Sequence, residues 1–260
     1  MQRRQFLATS FAASAATLAR NATAQGAAVP IREYYQIRRY SLQSGPQTSL
    51  TENYIGQALI PALTRMGIGP IGAFHLDFGP ETPMLYVLIP GRPPDTLALL
   101  DFRLAQDSEF MKAAEPFWSA PASAPPFQRV EYSLLVAFEG WPRITPPPKG
   151  KRIFQLRTYE SPSYKDHLVK VQMFHSGEFE VFTNAGFHPV FFGDTLIGQR
   201  MPNLTYMLSV ADAAAMDAAW EAFRNDPAWK KLSADPRFSF EPIVTNITNL
   251  VLSPLAASQV

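Results

Sequence analysis

Three polar residue types recur with the same spacing at two places in the chain, and they are the strongest candidates for chemistry. A guanidinium beside a phenol can hold a carboxylate or an enolate, because arginine donates paired hydrogen bonds from a fixed planar group. The same side chains can instead satisfy one another as a buried polar network that fixes how two parts of a protein pack. Both interpretations stay open here, and the candidate ligand-binding residues are Gln36, Arg38, Tyr40, Gln155, Arg157 and Tyr159.

Histidine offers a second set of candidates. His175 and His188 both lie in the second half of the chain, where they could meet over a helix-side pocket and act as a general base or as a haem ligand. The alternative is that each only satisfies neighbouring polar groups. No catalytic residue is assigned from the sequence, and the candidates are His175, His188, Arg157 and Tyr159.

Several familiar catalytic and metal-binding motifs are missing from the sequence. It contains no cysteine, no H-E-x-x-H pair, no glycine-rich phosphate loop and no G-x-S-x-G elbow. We therefore predict no metal site, and nucleotide-dependent or serine-hydrolase chemistry is disfavoured.

The recurrence of these residues belongs to a longer internal repeat. Residues 35–40 return as residues 154–159, which is an offset of 119 residues, and Gly67 and Asp107 return as Gly186 and Asp226 at that same offset. A repeat this long indicates two fused copies of one small domain, because solenoids and propellers repeat every 20 to 50 residues or so.

Each copy has the pattern of strand, helix, strand, strand, helix, strand. The sequence thus predicts an α+β protein of two tandem ferredoxin-like βαββαβ units, which cover each other's bare sheet faces in an intramolecular α/β barrel. On this basis the polar side chains of the two opening strands should point into the space between the sheets. The predicted domains are residues 31–140, which form the degenerate copy, and residues 151–255.

Two connecting segments have no counterpart in the repeat. Residues 141–150 are rich in proline and predict an extended linker that belongs to neither core. Residues 116–127 combine proline and alanine with Phe117 and Trp118, and they are either a lid or a plain connection. In the second copy, the helix predicted over residues 164–184 should be interrupted near Ser176 and Gly177.

The N-terminus predicts export. Arg3 and Arg4 precede a mildly apolar, alanine-rich stretch and an A-x-A site that ends at Ala24, which is the order of a bacterial twin-arginine signal peptide. Residues 1–24 are therefore the predicted signal, and the protein is expected in the periplasm or outside the cell. Removing them leaves 20 basic and 22 acidic residues, which disfavours nucleic acid as a partner. No run of about 20 apolar residues predicts a membrane span.

The two opening strands, the Gly186-Phe187 turn and the segment from Trp220 to Trp229 resemble the NIPSNAP family, within the wider group of dimeric α/β barrels. The resemblance covers nearly all of the predicted mature chain and is best in the second copy. It implies a ferredoxin-like fold without implying an activity, because related barrels include monooxygenases, haem enzymes and binding proteins.

Three functional hypotheses follow. The first is an exported protein that binds a small apolar or amphipathic molecule, with or without oxygenase-like or isomerase-like activity. The second is a non-catalytic interaction scaffold, and the third is a haem-using barrel enzyme. No cofactor is the favoured expectation, with haem as the less favoured alternative. Whether the protein is an enzyme, whether it is a homodimer, and whether the pocket lies between the sheets or under the helices stay open.

Overall fold

The computed structural model describes residues 31–260. The predicted signal peptide, residues 1–24, lies outside the described residues. In the described part, no helix combines the length and the apolar character that crossing a membrane requires.

The first half contains four strands and the helices that connect them. Its long first helix is divided into three consecutive pieces, of which the middle one is π-helical. In chain order the elements are β1 (Tyr34–Ser41), α1 (Pro46–Asn53), the first π-turn (Tyr54–Leu59), α2 (Ile60–Arg65), β2 (Gly72–Phe78), β3 (Met84–Gly91), α3 (Pro94–Ala98), α4 (Leu100–Leu104), α5 (Ser108–Trp118) and β4 (Arg129–Ala137).

The second half repeats this order and divides its long helix at the same place. Gly177, within the second π-turn, has a φ of 126°, a left-handed conformation that glycine adopts without a Cβ clash. This confirms the predicted interruption. The elements are β5 (Ile153–Glu160), α6 (Tyr164–Met173), the second π-turn (Phe174–Glu178), α7 (Phe179–Asn184), β6 (His188–Ile197), β7 (Asn203–Val210), α8 (Ala213–Asn225), α9 (Pro227–Ser233), a 3-10 turn (Pro236–Phe238), α10 (Phe240–Ile243) and β8 (Asn246–Pro254).

The eight strands form one closed barrel in the order β1-β3-β2-β8-β5-β7-β6-β4, with every neighbouring pair antiparallel. Within each half the order is that of a ferredoxin-like sheet. The outer strands β2 and β4 of the first half pair with β8 and β6 of the second, so neither half keeps a free sheet edge. The predicted fold of two ferredoxin-like units in an intramolecular barrel is confirmed.

Apolar side chains fill three separate cores. One is the barrel interior, where Tyr35 and Phe154 pack among residues of the other strands. The other two lie between the sheet and the helices, one in each half, around Leu63 in the first and Phe182 in the second. Since both faces of the sheet are buried, each strand contributes alternate residues to two cores.

The proline-rich segment is part of the barrel core, which corrects the linker prediction. Ile144 is buried in the barrel interior, and Trp141 packs against the helix-side core of the second half. The Thr145 N–H donates to the Val190 carbonyl at 2.8 Å, and the Ile144 N–H donates to the Glu33 carboxylate at 2.9 Å. Proline lacks an N–H group but leaves its neighbours free to anchor the segment, so an extended run can still pack closely.

Candidate functional site

The recurring polar residues lie under the helices, not between the sheets. Gln36 Nε2 donates to the carbonyl of Leu97 at 3.0 Å, and Trp220 Nε1 donates to Gln155 Oε1 at 2.8 Å, so both glutamines bond to residues of the helical layer. The expectation that these side chains point into the space between the sheets is wrong. That space is the largely apolar barrel interior, with a cavity of about 120 Å³, and alternation along each strand leaves the recurring polar residues on its opposite face.

In the first half, the helices and the sheet border an open cavity of about 680 Å³. Its base is polar and charged, and its walls are aromatic. The lining residues are Arg38, Tyr40, Tyr54, Asp101, Phe117, Trp118, Ala120, Pro126, Phe127, Val130 and Tyr132.

Arg38, on β1, forms the base of this cavity and is only 1% exposed. Its Nε donates to Gln36 Oε1 at 2.6 Å, and its guanidinium lies 4.6 Å from the centre of the Tyr132 ring. Burial alone would lower the pKa of Arg38, but Tyr40, Tyr132 and Asp101 raise it above its ordinary value. Arg38 is therefore a permanent buried cation.

Asp101, on α4, supplies the opposite charge. Its Oδ1 lies 2.9 Å from Arg38 Nη2, and its Oδ2 accepts a hydrogen bond from the Tyr132 hydroxyl at 3.0 Å. The Arg38 Nη2 and Asp101 Oδ1 atoms are close enough for an ion pair but not aligned for a hydrogen bond, and neither has another hydrogen-bond partner. The Asp101 side chain is 40% exposed, and Arg38 beneath it also lines the cavity.

Aromatic rings form the walls above the ion pair. Tyr54, in the first π-turn, stacks on Phe117 with ring centres 3.9 Å apart. Phe127 packs against both Phe117 and Tyr40, with ring centres 5.6 and 6.4 Å apart. Such walls suit a flat, apolar ligand.

The segment predicted as a lid or a connection contributes to these walls. Its first residues continue α5 to Trp118, and the rest passes over the cavity before β4 begins. Gln47 Nε2 donates to the Pro125 carbonyl at 2.9 Å, and the Thr51 hydroxyl donates to the Pro126 carbonyl at 3.1 Å. The segment is thus fastened to α1 by side-chain hydrogen bonds.

In the second half, Gln155 and Arg157 border an open groove of about 670 Å³. Arg157 Nη2 donates to the Tyr159 hydroxyl at 3.1 Å, and the guanidinium lies 4.5 Å from the centre of the Trp220 ring. The Tyr159 and Tyr206 hydroxyls are 2.8 Å apart. Part of the predicted polar network is therefore present here.

A buried ion pair lies beneath these tyrosines. Lys170 Nζ donates to both carboxylate oxygens of Glu178, at 3.0 and 2.7 Å, and both side chains are almost completely buried. Burial raises the pKa of Glu178, and the nearby Lys170 opposes that shift. The residues at the corresponding positions of the first half, Thr51 and Leu59, are uncharged.

The two histidine candidates bind different segments and do not fit as haem ligands. His175 Nε2 accepts from the Gly140 N–H at 3.1 Å, and Nδ1 donates to the Val171 carbonyl at 2.9 Å. His188 Nε2 donates to the Thr145 carbonyl at 3.1 Å. A haem ligand needs a free ring nitrogen that faces a cavity, and neither residue lines the cavities described above. Among the described residues, no three His, Cys, Asp or Glu side chains form a group that could hold a metal ion.

Sequence reasoning missed Asp101, Tyr54 and Tyr132. The repeat aligns Asp101 with Trp220, so the search for residues shared by both copies passed over it. The sequence did carry one signal, because Asp101 is an acidic residue within the largely apolar segment around Leu100 and Leu104. A carboxylate in such a segment is usually buried next to a cation.

Similarity to known proteins identifies the second half. Residues 154–259 match the family model described as NIPSNAP. The second half of the chain is therefore a NIPSNAP domain. The predicted resemblance is confirmed for this half, and Arg157, Tyr159 and Trp220 lie within the domain. No protein in the curated set that was searched matches the chain.

Two of the solved structures that match share the architecture of the whole described barrel. A proposed monooxygenase of Lactobacillus acidophilus is 14% identical, with a TM-score of 0.58, and the match covers 88% of this chain and 97% of that one. A proposed monooxygenase of Fusobacterium nucleatum is 10% identical, with a TM-score of 0.55 and coverage of 87% and 94%. A NIPSNAP-like protein of Burkholderia xenovorans matches 42% of this chain and 89% of its own, at 14% identity and a TM-score of 0.37. At these identities the likeness concerns the fold.

Proposed function

We propose that this NIPSNAP-domain protein binds a small, largely apolar molecule with a carbonyl or phenol group in the first-half cavity. One observation carries the proposal: a buried Arg38–Asp101 ion pair forms the base of a cavity with aromatic walls. The pair is neutral overall, so it favours an uncharged ligand whose polar group accepts from the guanidinium. This proposal places the ligand under the helices.

The same pair is suited to proton transfer. Asp101 can accept a proton from the carbon next to a carbonyl group, while Arg38 stabilises the enolate oxygen that forms. Returning the proton to a different carbon completes an isomerisation. Reaction of the enolate with dioxygen would instead give an oxygenation, and the structural likeness to proposed monooxygenases of Lactobacillus and Fusobacterium supports that alternative. Both reactions begin with the same step.

A model ketone tests this first step directly. We propose to incubate the mature protein with 2-tetralone in D₂O and to follow loss of the α-proton signal by ¹H NMR. Asp101→Asn should reduce the protein-dependent exchange by about tenfold or more, because it removes the proton acceptor. The matched control is Asp217→Asn, which removes a carboxylate that lines the second-half groove and should leave the rate unchanged. Equal exchange rates in both variants would contradict the assignment of Asp101.

Binding is tested separately from chemistry. Calorimetric titration should detect 2-tetralone more strongly than tetralin, which has the same rings without the carbonyl. Arg38→Gln should remove that preference, because the carbonyl loses its donor. If both compounds bind equally to the unaltered protein, the polar base of the cavity does not recognise the ligand.

We also propose that the protein is exported through the twin-arginine route, as the residues around Arg3 and Arg4 indicate. Replacing both arginines with lysine should retain the uncleaved protein in the cytoplasm. Cell fractionation and mass spectrometry of the N-terminus measure this. A double variant that still reaches the periplasm in processed form would contradict this route.

A further inference from the structure

We infer that the second-half groove is a separate binding site for a small carboxylate anion. It lies on the opposite half of the barrel from the first-half cavity and involves none of the same residues. The inference therefore does not depend on the proposed function, and it rests on the unpaired charge of Arg157.

Arg157 has a positive charge that no neighbouring acid neutralises at close range. Among the described residues no carboxylate forms an ion pair with it, and its buried Nε has no hydrogen-bond partner. Glu178 is near enough to act on it electrostatically, but both of that carboxylate's oxygens bind Lys170. A half-buried guanidinium that lines a groove and has an unpartnered donor atom is arranged to receive an anion.

Trp220 explains why the charge of Arg157 has no acidic partner. It takes the position that Asp101 occupies in the first half, so an aromatic ring stands where the first half has the acid. The ring lies against the guanidinium face, and its Nε1 hydrogen is held by Gln155. Stacking orients the guanidinium plane beside the groove without neutralising its charge.

The rim of the groove favours a singly charged ligand. Asp217 and Glu221 line it together with Arg224. The two carboxylates would repel a phosphate dianion, whereas a monocarboxylate with an apolar body meets less opposing charge. The chemical class that fits is therefore a small monocarboxylate.

The test uses benzoate as the probe, with inorganic phosphate and benzyl alcohol as comparisons. In the mature protein labelled with ¹⁵N, benzoate should shift the Arg157 Nε–H resonance in a saturable way, and neither comparison should match it. Arg157→Gln should weaken benzoate binding by about tenfold or more, measured by calorimetry, because a charged hydrogen bond is lost. Arg103→Gln, which removes an exposed first-half arginine outside both sites, is the matched control and should leave benzoate binding unchanged.

A second variant distinguishes this mechanism from general disruption of the fold. Trp220→Asp gives Arg157 the internal acid that Arg38 already has, so benzoate binding should fall as in Arg157→Gln, with circular dichroism confirming the fold. The inference is overturned if benzoate leaves the Arg157 resonance unshifted, if phosphate binds as tightly as benzoate, or if folded Trp220→Asp binds benzoate as well as the unaltered protein.

Discussion

Both halves of the barrel place a glutamine, an arginine and a tyrosine beneath their helices, but they surround these residues differently. In the first half Asp101 pairs with Arg38, and the space above is an aromatic cavity. In the second half Trp220 stacks on Arg157, and the layer beneath holds the Lys170–Glu178 pair. One polar frame thus supports a neutral cavity in one half and an unpaired cation in the other. The glutamine, arginine and tyrosine are therefore the same in both copies, whereas the residues that contact them differ.

A second pair of contacts shows the same divergence. In the first half, Glu52 on α1 lies 3.4 Å from His75 on β2. In the second half, the histidine is on the helix and the acid on the strand: His167 Nε2 lies 2.7 Å from Asp194 Oδ1. His75 and Asp194 occupy the same repeat position. The two halves therefore keep an acid–histidine contact between helix and sheet while exchanging which element supplies each partner.

The largest expected effect comes from making the second half resemble the first. Lys170→Thr should lower the free energy of unfolding by about 3–5 kcal/mol, because it leaves Glu178 buried without its cation. The double variant Lys170→Thr with Glu178→Leu, which installs the residues of the first half, should recover most of that loss. Urea denaturation measures both. A single variant as stable as the double one would show that the pair is not coupled.

A smaller effect is expected from Arg38. Arg38→Gln should lower the free energy of unfolding by about 1–3 kcal/mol, because the hydrogen bond to Gln36 and the contact with Asp101 are lost. The loss should stay below that of Lys170→Thr, since the Asp101 left behind can reach solvent. Denaturation of the two single variants under one set of conditions makes the comparison. If Arg38→Gln lowers the free energy of unfolding more than Lys170→Thr does, the Arg38–Asp101 pair contributes more to stability than the Lys170–Glu178 pair.

The smallest expected effect is a pH dependence from carboxylates at helix N-termini. Hydrogen bonds from backbone N–H groups, mainly those of Phe110 and Ala215, lower the pKa of Asp107 and Asp212, and Arg237 lowers that of Asp235 to about 2. An aspartate whose pKa is lowered in the folded state stabilises the fold at pH values above its unfolded-state pKa, which is about 4. That stabilisation is lost as the pH falls toward about 2.

Since two of these three aspartates lie in the second half, Asp212→Asn with Asp235→Asn should flatten the dependence of Tm on pH more than Asp107→Asn does. Thermal unfolding between about pH 4 and about pH 2 measures it. A larger flattening by Asp107→Asn would show that the first half carries the acid sensitivity.

The sequence predicted the barrel well because the repeat determined it. Two copies of a βαββαβ unit each have a bare face and two free edges, and pairing them removes both problems. It could not say which face of β1 lies inside, because both faces of a strand in this barrel are buried. The alternation of side chains along β1 places Tyr35 and Arg38 on opposite faces of the strand, but it does not show which face points into the barrel.

The site was less predictable for a related reason. A comparison of two copies finds what they share, such as Arg38 and Arg157, and passes over what differs, such as Asp101 and Trp220. The core position of Ile144 was equally hidden, because its proline-rich surroundings resemble a linker in composition. What makes each site chemically distinct lies in the differences between the copies.

The most direct test of the account is a crystal structure of the mature protein with 2-tetralone bound. We predict that the carbonyl oxygen lies within hydrogen-bond distance of the Arg38 guanidinium, with the rings packed against Phe117 and Phe127. Electron density for the ketone inside the barrel, against Ile37 and Leu156, would contradict the claim that the ligand site lies under the helices of the first half.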